Sequence, residues 1–294
     1  MPRSPRTART AGTERSARRL PAVAALAAVT ALVAGVAAPA YAAEPAPVAP
    51  AAHGHQNFHP DQDFAGSTVA THEGRGAAAP VATLAATQTP GLDVSSYQGN
   101  VNWSSVSANG GKFAYVKATE GTSYTNPNFA QQYNGSYNAG LIRGAYHFAL
   151  PDVSSGATQA NYFVSHGGGW SADGKTLPPA LDIEYNPYGA TCYGLSQSAM
   201  VSWIRSFSDT VHTRTGRYPT IYTTTNWWTQ CTGNYSGFGA TNPLWIARYA
   251  STVGTLPAGW SYQTIWQFAD AGTFPGDQNY FNGAADRIRA LALG

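Results

Sequence analysis

The clearest chemical feature of the sequence is a pair of acids one residue apart on an apolar stretch. It lies in Pro178-Pro179-Ala180-Leu181-Asp182-Ile183-Glu184-Tyr185. Along an extended strand, side chains at i and i+2 project to the same face. Asp182 and Glu184 therefore share one face, and Leu181 and Ile183 share the other. Two carboxyls held this close disfavour each other's charge, so one is expected to keep its proton near neutral pH. A protonated and an ionised carboxyl in one pocket are what acid–base cleavage of a glycosidic bond requires. The competing reading is a structural ion pair with Lys117 or Arg248.

Other acids and rings add to this pair. Asp93 ends an apolar strand start in Gly91-Leu92-Asp93-Val94-Ser95, where it could equally cap the next segment. Asp277, in Gly276-Asp277-Gln278-Asn279-Tyr280-Phe281, reads alone as a turn residue. Tyr146, His147, Tyr222, Trp245, Tyr249, Trp266 and Gln267 cluster at predicted strand ends. Rings beside amides and hydroxyls suit sugars, although any one ring is more often core packing. Other chemistries fit poorly. Cys192 and Cys231 lack zinc spacing, so no metal and no other cofactor is expected. There is no Gly-x-Ser-x-Gly elbow and no phosphate-binding glycine loop. A Cys192 thiol nucleophile beside His147 would be removed by disulfide formation.

The elements that must position these residues are short strands bounded by Gly, Pro, Asn or Ser. They are expected at Gly91–Ser95, Phe113–Lys117, Ile142–Ala149, Ala180–Glu184, Thr220–Tyr222, Leu244–Arg248 and Thr264–Phe268. Helical patterns fill several gaps. The clearest covers Ser196 to Thr215, with Met200, Trp203, Ile204, Phe207 and Val211 on one face, Ser196 as cap and Gly216 as stop. Two more are expected at Pro127–Ala139 and Thr158–Ser165. Strands alternating with helices argue for parallel βαβ units. The expected fold is a single-domain α/β barrel, TIM-barrel-like but irregular, with about eight strands and fewer helices because the helical signal fades past Tyr222. On such a barrel Leu181 and Ile183 face the helix layer. Asp182 and Glu184 face the lumen at the strand's C-terminal end, where barrel enzymes place their sites.

The N-terminus reads differently. Residues 2–19 carry six arginines and one acid, and an Ala/Val/Leu-rich run leads to Ala40-Tyr41-Ala42. Charged region, apolar run and small-x-small site together predict a secretory signal peptide over 1–42, cleaved on export, rather than a membrane anchor. That segment holds six of the 17 basic and one of the 15 acidic side chains, which leaves −3 on the remainder. No basic stripe then remains for nucleic acid. Residues 43–88 are Ala-, Pro- and Thr-rich and read as a disordered linker or pro-segment. His53, His55, His59 and His72 lie there, in a stretch read as solvated rather than metal-binding. Residues 89–294, roughly 205 of them, suffice for one domain with a sizeable core. In an exported chain Cys192 and Cys231 suggest one disulfide rather than two buried thiols, closing a loop of about 40 residues.

Five blocks in order give these readings a common frame. They are Gly91-Leu92-Asp93-Val94-Ser95 with Gln98-Gly99; Lys117-Ala118-Thr119-Glu120-Gly121; Gly144-Ala145-Tyr146-His147-Phe148; Leu181-Asp182-Ile183-Glu184; and Trp266-Gln267-Phe268 followed by Asp277, Asn279 and Phe281. From Gly91 to the C-terminus the chain resembles the glycoside hydrolase family 25 lysozymes, the Chalaropsis-type muramidases. The resemblance implies an irregular β/α barrel that cleaves the β-1,4 bond between N-acetylmuramic acid and N-acetylglucosamine in peptidoglycan. It implies Glu184 as general acid and Asp182 as the partner that orients the substrate's 2-acetamido group as nucleophile, with retention. Asp93 and Asp277 match the two further acids of the pocket, and Tyr146 and Tyr222 match rings that contact sugar or stabilise an intermediate. Lys117 and Glu120 match too, as an i, i+3 pair. Family members accept 6-O-acetylated muramic acid, so that tolerance is part of the expectation. The expected product is a secreted, extracellular monomer acting on peptidoglycan, without stable membrane insertion. The rival functions are a non-catalytic peptidoglycan-binding module on the same fold and a peptidoglycan amidase.

Overall fold

The computed structural model describes His55 and residues 57–76 and 88–294. The expected signal segment, 1–42, lies outside the described residues.

Eight strands close into a barrel. In sheet order they are β1 (Thr89–Val94), β9 (Asp277–Phe281), β8 (Ile265–Ala269), β7 (Leu244–Ala247), β6 (Thr220–Thr223), β5 (Ala180–Asp182), β4 (Ile142–Phe148) and β2 (Phe113–Glu120), and β2 pairs back onto β1. A two-residue strand, β3 (Tyr124–Thr125), lies outside the ring, antiparallel to β2. From β1 through β8 the ring pairs are parallel, as alternating strands and helices require. The exception is β9, which runs antiparallel to both β8 and β1. The sequence shows no strand here, and Asp277 alone reads as a turn residue. The alternation of β9 is masked because all five of its residues are buried on both faces.

Helices cover only part of the ring. They are α2 (Trp103–Ala108), α3 (Phe129–Asn138), α4 (Gly156–Ser165), α5 (Gln197–Thr215), α6 (Thr225–Thr232) and α7 (Ala285–Leu293). No helix bridges β7 to β8, in keeping with the faded helical signal, although α2, α6 and α7 went unforeseen. Helix α5 has the expected ends: Ser196 accepts from the Ala199 amide, and Gly216 adopts a left-handed φ of 76°. Its face of Met200, Ile204 and Phe207 packs on Leu181 and Ile183, so the outer side of β5 is the apolar side. Inside the ring Ala180 packs with Tyr115, Tyr146, Tyr222 and Trp245. Gly144 makes room there, since a Cβ on it would lie 2.4 Å from the Tyr115 ring. The Cys192–Cys231 disulfide joins the β5–α5 loop to α6, with Cα atoms 5.3 Å apart.

One expectation needs correction. Residues 57–76, read as part of a disordered stretch, are built into the fold. They carry a short helix, α1 (Val69–Glu73), and bury Asp63, Ala65 and Val69. Low complexity in the flanking 43–54 and 77–87 hid a stretch with its own apolar and ring residues, Phe58, Phe64 and Val69.

Candidate active site

Strand β5 delivers Asp182 at its last residue, and the chain continues extended to Glu184. The Asp182 carbonyl accepts from the Ala149 amide and the Ile183 amide donates to Tyr222, which locks both acids into the barrel mouth. Both carboxyls are 1 % exposed. Neither oxygen of Asp182 has a hydrogen-bond partner, although both are buried. Burial raises this carboxyl well above the ordinary range, and repulsion from Glu184 raises it further. Burial pushes Glu184 up to about 8, against two hydrogen bonds that favour its charged form. The ion-pair reading of these acids is not what forms. Lys117 instead meets Glu120 at 2.5 Å, both fully buried, as the i, i+3 pair expected of them.

Asp93 and Asp277 face each other across the antiparallel β1–β9 pairing, where they are register partners. Asp93 Oδ2 accepts from Asn279 Nδ2 at 2.6 Å and from Gln267 Nε2 at 3.0 Å. Burial nonetheless pushes Asp93 up to about 7, offset in part by those two amides. Asp277 is raised by burial and then by the Asp93 charge. The four acids predicted from sequence are thus brought to one end of the barrel. Gln267 ties the second pair to the tyrosines: its Oε1 accepts from Tyr222 Oη at 2.7 Å and Tyr249 Oη at 3.1 Å, while its Nε2 also reaches Asp277 Oδ2 at 3.0 Å.

The rings divide. Tyr146 and Tyr222 are buried inside the barrel with their hydroxyls at its mouth, reaching Ala65 and Gln267. Trp245 is fully buried beneath them, stacked on Tyr115 at 4.8 Å, and its indole N–H donates to Asn279 Oδ1 at 2.7 Å. It supports the acids from below rather than offering a face to a sugar. Trp266, expected as a sugar contact, is turned to the outside of the barrel. It packs with Phe268 and Tyr280 and is not brought to the site. Period-two alternation makes this unavoidable once Gln267 points inward. His147 is likewise outward and buried, between Thr119 and Gln159, and burial pulls it down to about 3. Burial keeps His147 neutral, and because Gln159 Oε1 can only accept, the ring carries its proton on Nε2. Asn279, given no role from sequence, orients Asp93. The two-residue spacing of Asp277, Asn279 and Phe281 was the available signal.

A closed barrel with paired, proton-retaining carboxyls at the mouth is the site of a glycoside hydrolase. Comparison with known proteins agrees. The model for glycosyl hydrolases family 25 matches residues 92–277. The chain is 53 % identical over 208 residues to N,O-diacetylmuramidase of Chalaropsis sp., covering 69 % of this chain and 99 % of that one. It is 47 % identical over 241 residues to lysozyme M1 of Streptomyces globisporus, covering 79 % and 82 %. The solved family GH25 lysozyme from Aspergillus fumigatus superposes with a TM-score of 0.70 at 51 % identity, covering 71 % and 100 %. The chain belongs to glycosyl hydrolases family 25.

Proposed function

We propose that this enzyme is a lysozyme that hydrolyses the β-1,4 bond between N-acetylmuramic acid and N-acetylglucosamine in peptidoglycan. The names of the relatives, N,O-diacetylmuramidase and lysozyme, support the substrate, and the first of them supports tolerance of O-acetylated muramic acid. The observation that carries the mechanism is Asp182, buried with both oxygens unpartnered beside a proton-retaining Glu184. A buried acceptor without a donor is costly unless a ligand completes it. The N–H of a substrate 2-acetamido group supplies that donor.

Glu184 gives its proton to the glycosidic oxygen as the C1–O bond breaks. The acetamide carbonyl oxygen, oriented through its N–H by Asp182, bonds to C1 in place of the leaving group. Glu184, now ionised, takes a proton from water, which opens the oxazoline at C1 with net retention. Tyr146 and Tyr222, with hydroxyls at the barrel mouth, and the paired Asp93 and Asp277 are the residues we assign to contact the sugar around this pair. NMR of the first-released anomer checks the stereochemistry: β product is expected, and α product would rule out acetamide participation. Reducing ends rather than free amines from purified walls set the muramidase apart from an amidase. Export through the 1–42 segment and action as a monomer belong to the same proposal.

A further inference from the structure

The catalytic acid of this enzyme is already occupied by its own chain. The Gly66 amide donates to Glu184 Oε1 at 2.6 Å, and Thr68 Oγ1 donates to Glu184 Oε2 at 2.8 Å. Both oxygens of the proton donor are thereby taken. A glycosidic oxygen must come within hydrogen-bond distance of the same carboxyl, so substrate and segment exclude each other. The neighbouring main chain is held by site residues: Ala65 N–H by Tyr146 Oη at 3.3 Å and Ala65 C=O by Gln267 Nε2 at 2.8 Å, while Gly66 C=O shares the Tyr249 hydroxyl, 3.2 Å away, with Gln267 Oε1. Ala65 is fully buried and packs with the barrel-interior rings. These are donors and acceptors fixed in the barrel wall, so the peptide groups stand where a sugar's hydroxyls and amide would.

The fit is specific. Gly66 has φ +95°, which L side chains rarely adopt. A Cβ there would lie 2.2 Å from Tyr249 Oη and 2.9 Å from Tyr222 Oη. Both flanks of the plug are anchored. Upstream, Lys117 Nζ donates to the Pro60 carbonyl at 3.0 Å, and Tyr188 Oη sits in hydrogen-bond contact between the Asp63 and Glu120 carboxyls. Downstream, His72 stacks on Tyr185 at 4.0 Å and Arg75 pairs with Asp270. The segment lies outside the barrel that the family match and the Chalaropsis relative define. The family match begins at residue 92, and the Chalaropsis relative is covered over 99 % of its length by 69 % of this chain.

We propose that residues 57–76 are a tethered inhibitor, which keeps the hydrolase latent until the segment is cut away or displaced. This rests on the muramidase reading of the site. The substitution that isolates it is Gly66→Leu, which changes nothing in the barrel and cannot be seated. Reducing-end release from purified peptidoglycan is compared for the intact chain, Gly66→Leu and Thr68→Val, each with residues 57–76 retained. Gly66→Leu is expected to turn over at least tenfold faster than the intact chain, with Thr68→Val between them. A synthetic peptide of residues 57–76 should inhibit Gly66→Leu competitively, and the same peptide carrying leucine for Gly66 should not. Equal rates for intact chain and Gly66→Leu, or no inhibition by the peptide, overturn the proposal. Binding of an alternating N-acetylglucosamine–N-acetylmuramic acid tetrasaccharide, followed by tryptophan fluorescence, separates this proposal from the muramidase reading. If no form hydrolyses but Gly66→Leu binds at least tenfold more tightly than the intact chain, the plug stands and the muramidase reading falls. Equal binding, or none by either form, sinks the plug.

Discussion

At Asp182 two buried oxygens lack any donor, and at Glu184 two donors compete for one carboxyl. The two lie two residues apart, at the end of β5 and just beyond it, where an apolar helix layer fixes the chain from behind. Removing the proton from this arrangement isolates the chemistry. Glu184→Gln keeps the shape and loses the acid, so in the Gly66→Leu background reducing-end release should fall by roughly 10²–10⁴-fold, the usual contribution of general acid–base catalysis, while the melting temperature matches that of its parent below about pH 4.5. Asp182→Asn should also lose activity, because the N–H of the acetamide loses its carboxyl acceptor. Its kcat should fall more than its KM changes, read from initial rates on soluble glycan. Gln267 is a different kind of site residue. It orients Asp93, Asp277, Tyr222 and Tyr249 at once, so its influence runs through the acids it aligns.

At the scale of elements, two features should respond strongly to substitution. The Cys192–Cys231 disulfide ties the loop after the catalytic strand to α6 across a separation of 39 residues. In the chain-entropy account such a closure contributes roughly 3–4 kcal/mol. Cys192→Ser with Cys231→Ser should therefore lower the urea midpoint, and reductant should lower the parent to match. The second feature is the contact between α4 and α5. A Cβ on Gly156 would lie 2.2 Å from the Trp203 carbonyl oxygen and 2.7 Å from the Phe207 nitrogen. Those atoms are main chain of a long helix and cannot step aside. Gly156→Val should cost at least about 1–3 kcal/mol, seen as a lower midpoint at unchanged slope.

For the whole molecule, the buried acids set a pH dependence. Glu184 and Asp93 titrate at about 8 and about 7 in the folded chain, against ordinary values of 4.5 and 3.8. Between those limits the folded state holds protons that the unfolded chain has released. Stability therefore falls as pH rises through this window and is greatest below it. Melting temperature of the intact chain should decline from about pH 4.5 to about pH 8. Glu184→Gln should flatten the part of that decline that belongs to its carboxyl. Latency lives at this scale too, because the plug joins residues 118 positions apart in sequence.

What the sequence determined by itself follows from short-range rules. Period two put Asp182 and Glu184 on one face, period 3.6 with Ser196 and Gly216 bounded α5, and the ordered blocks around Asp93 and Asp277 pointed to one pocket. Three things waited for the tertiary structure. The antiparallel course of β9 was hidden because burial on both faces erases alternation. The outward turn of Trp266 needed Gln267 to be fixed inward by Asp93, Asp277 and Tyr222, partners far apart in the chain. The plug over Glu184 could not be read from residues 57–76 at all. Its affinity resides in backbone amides and carbonyls that every sequence carries, and only the barrel wall gives them a place to bind.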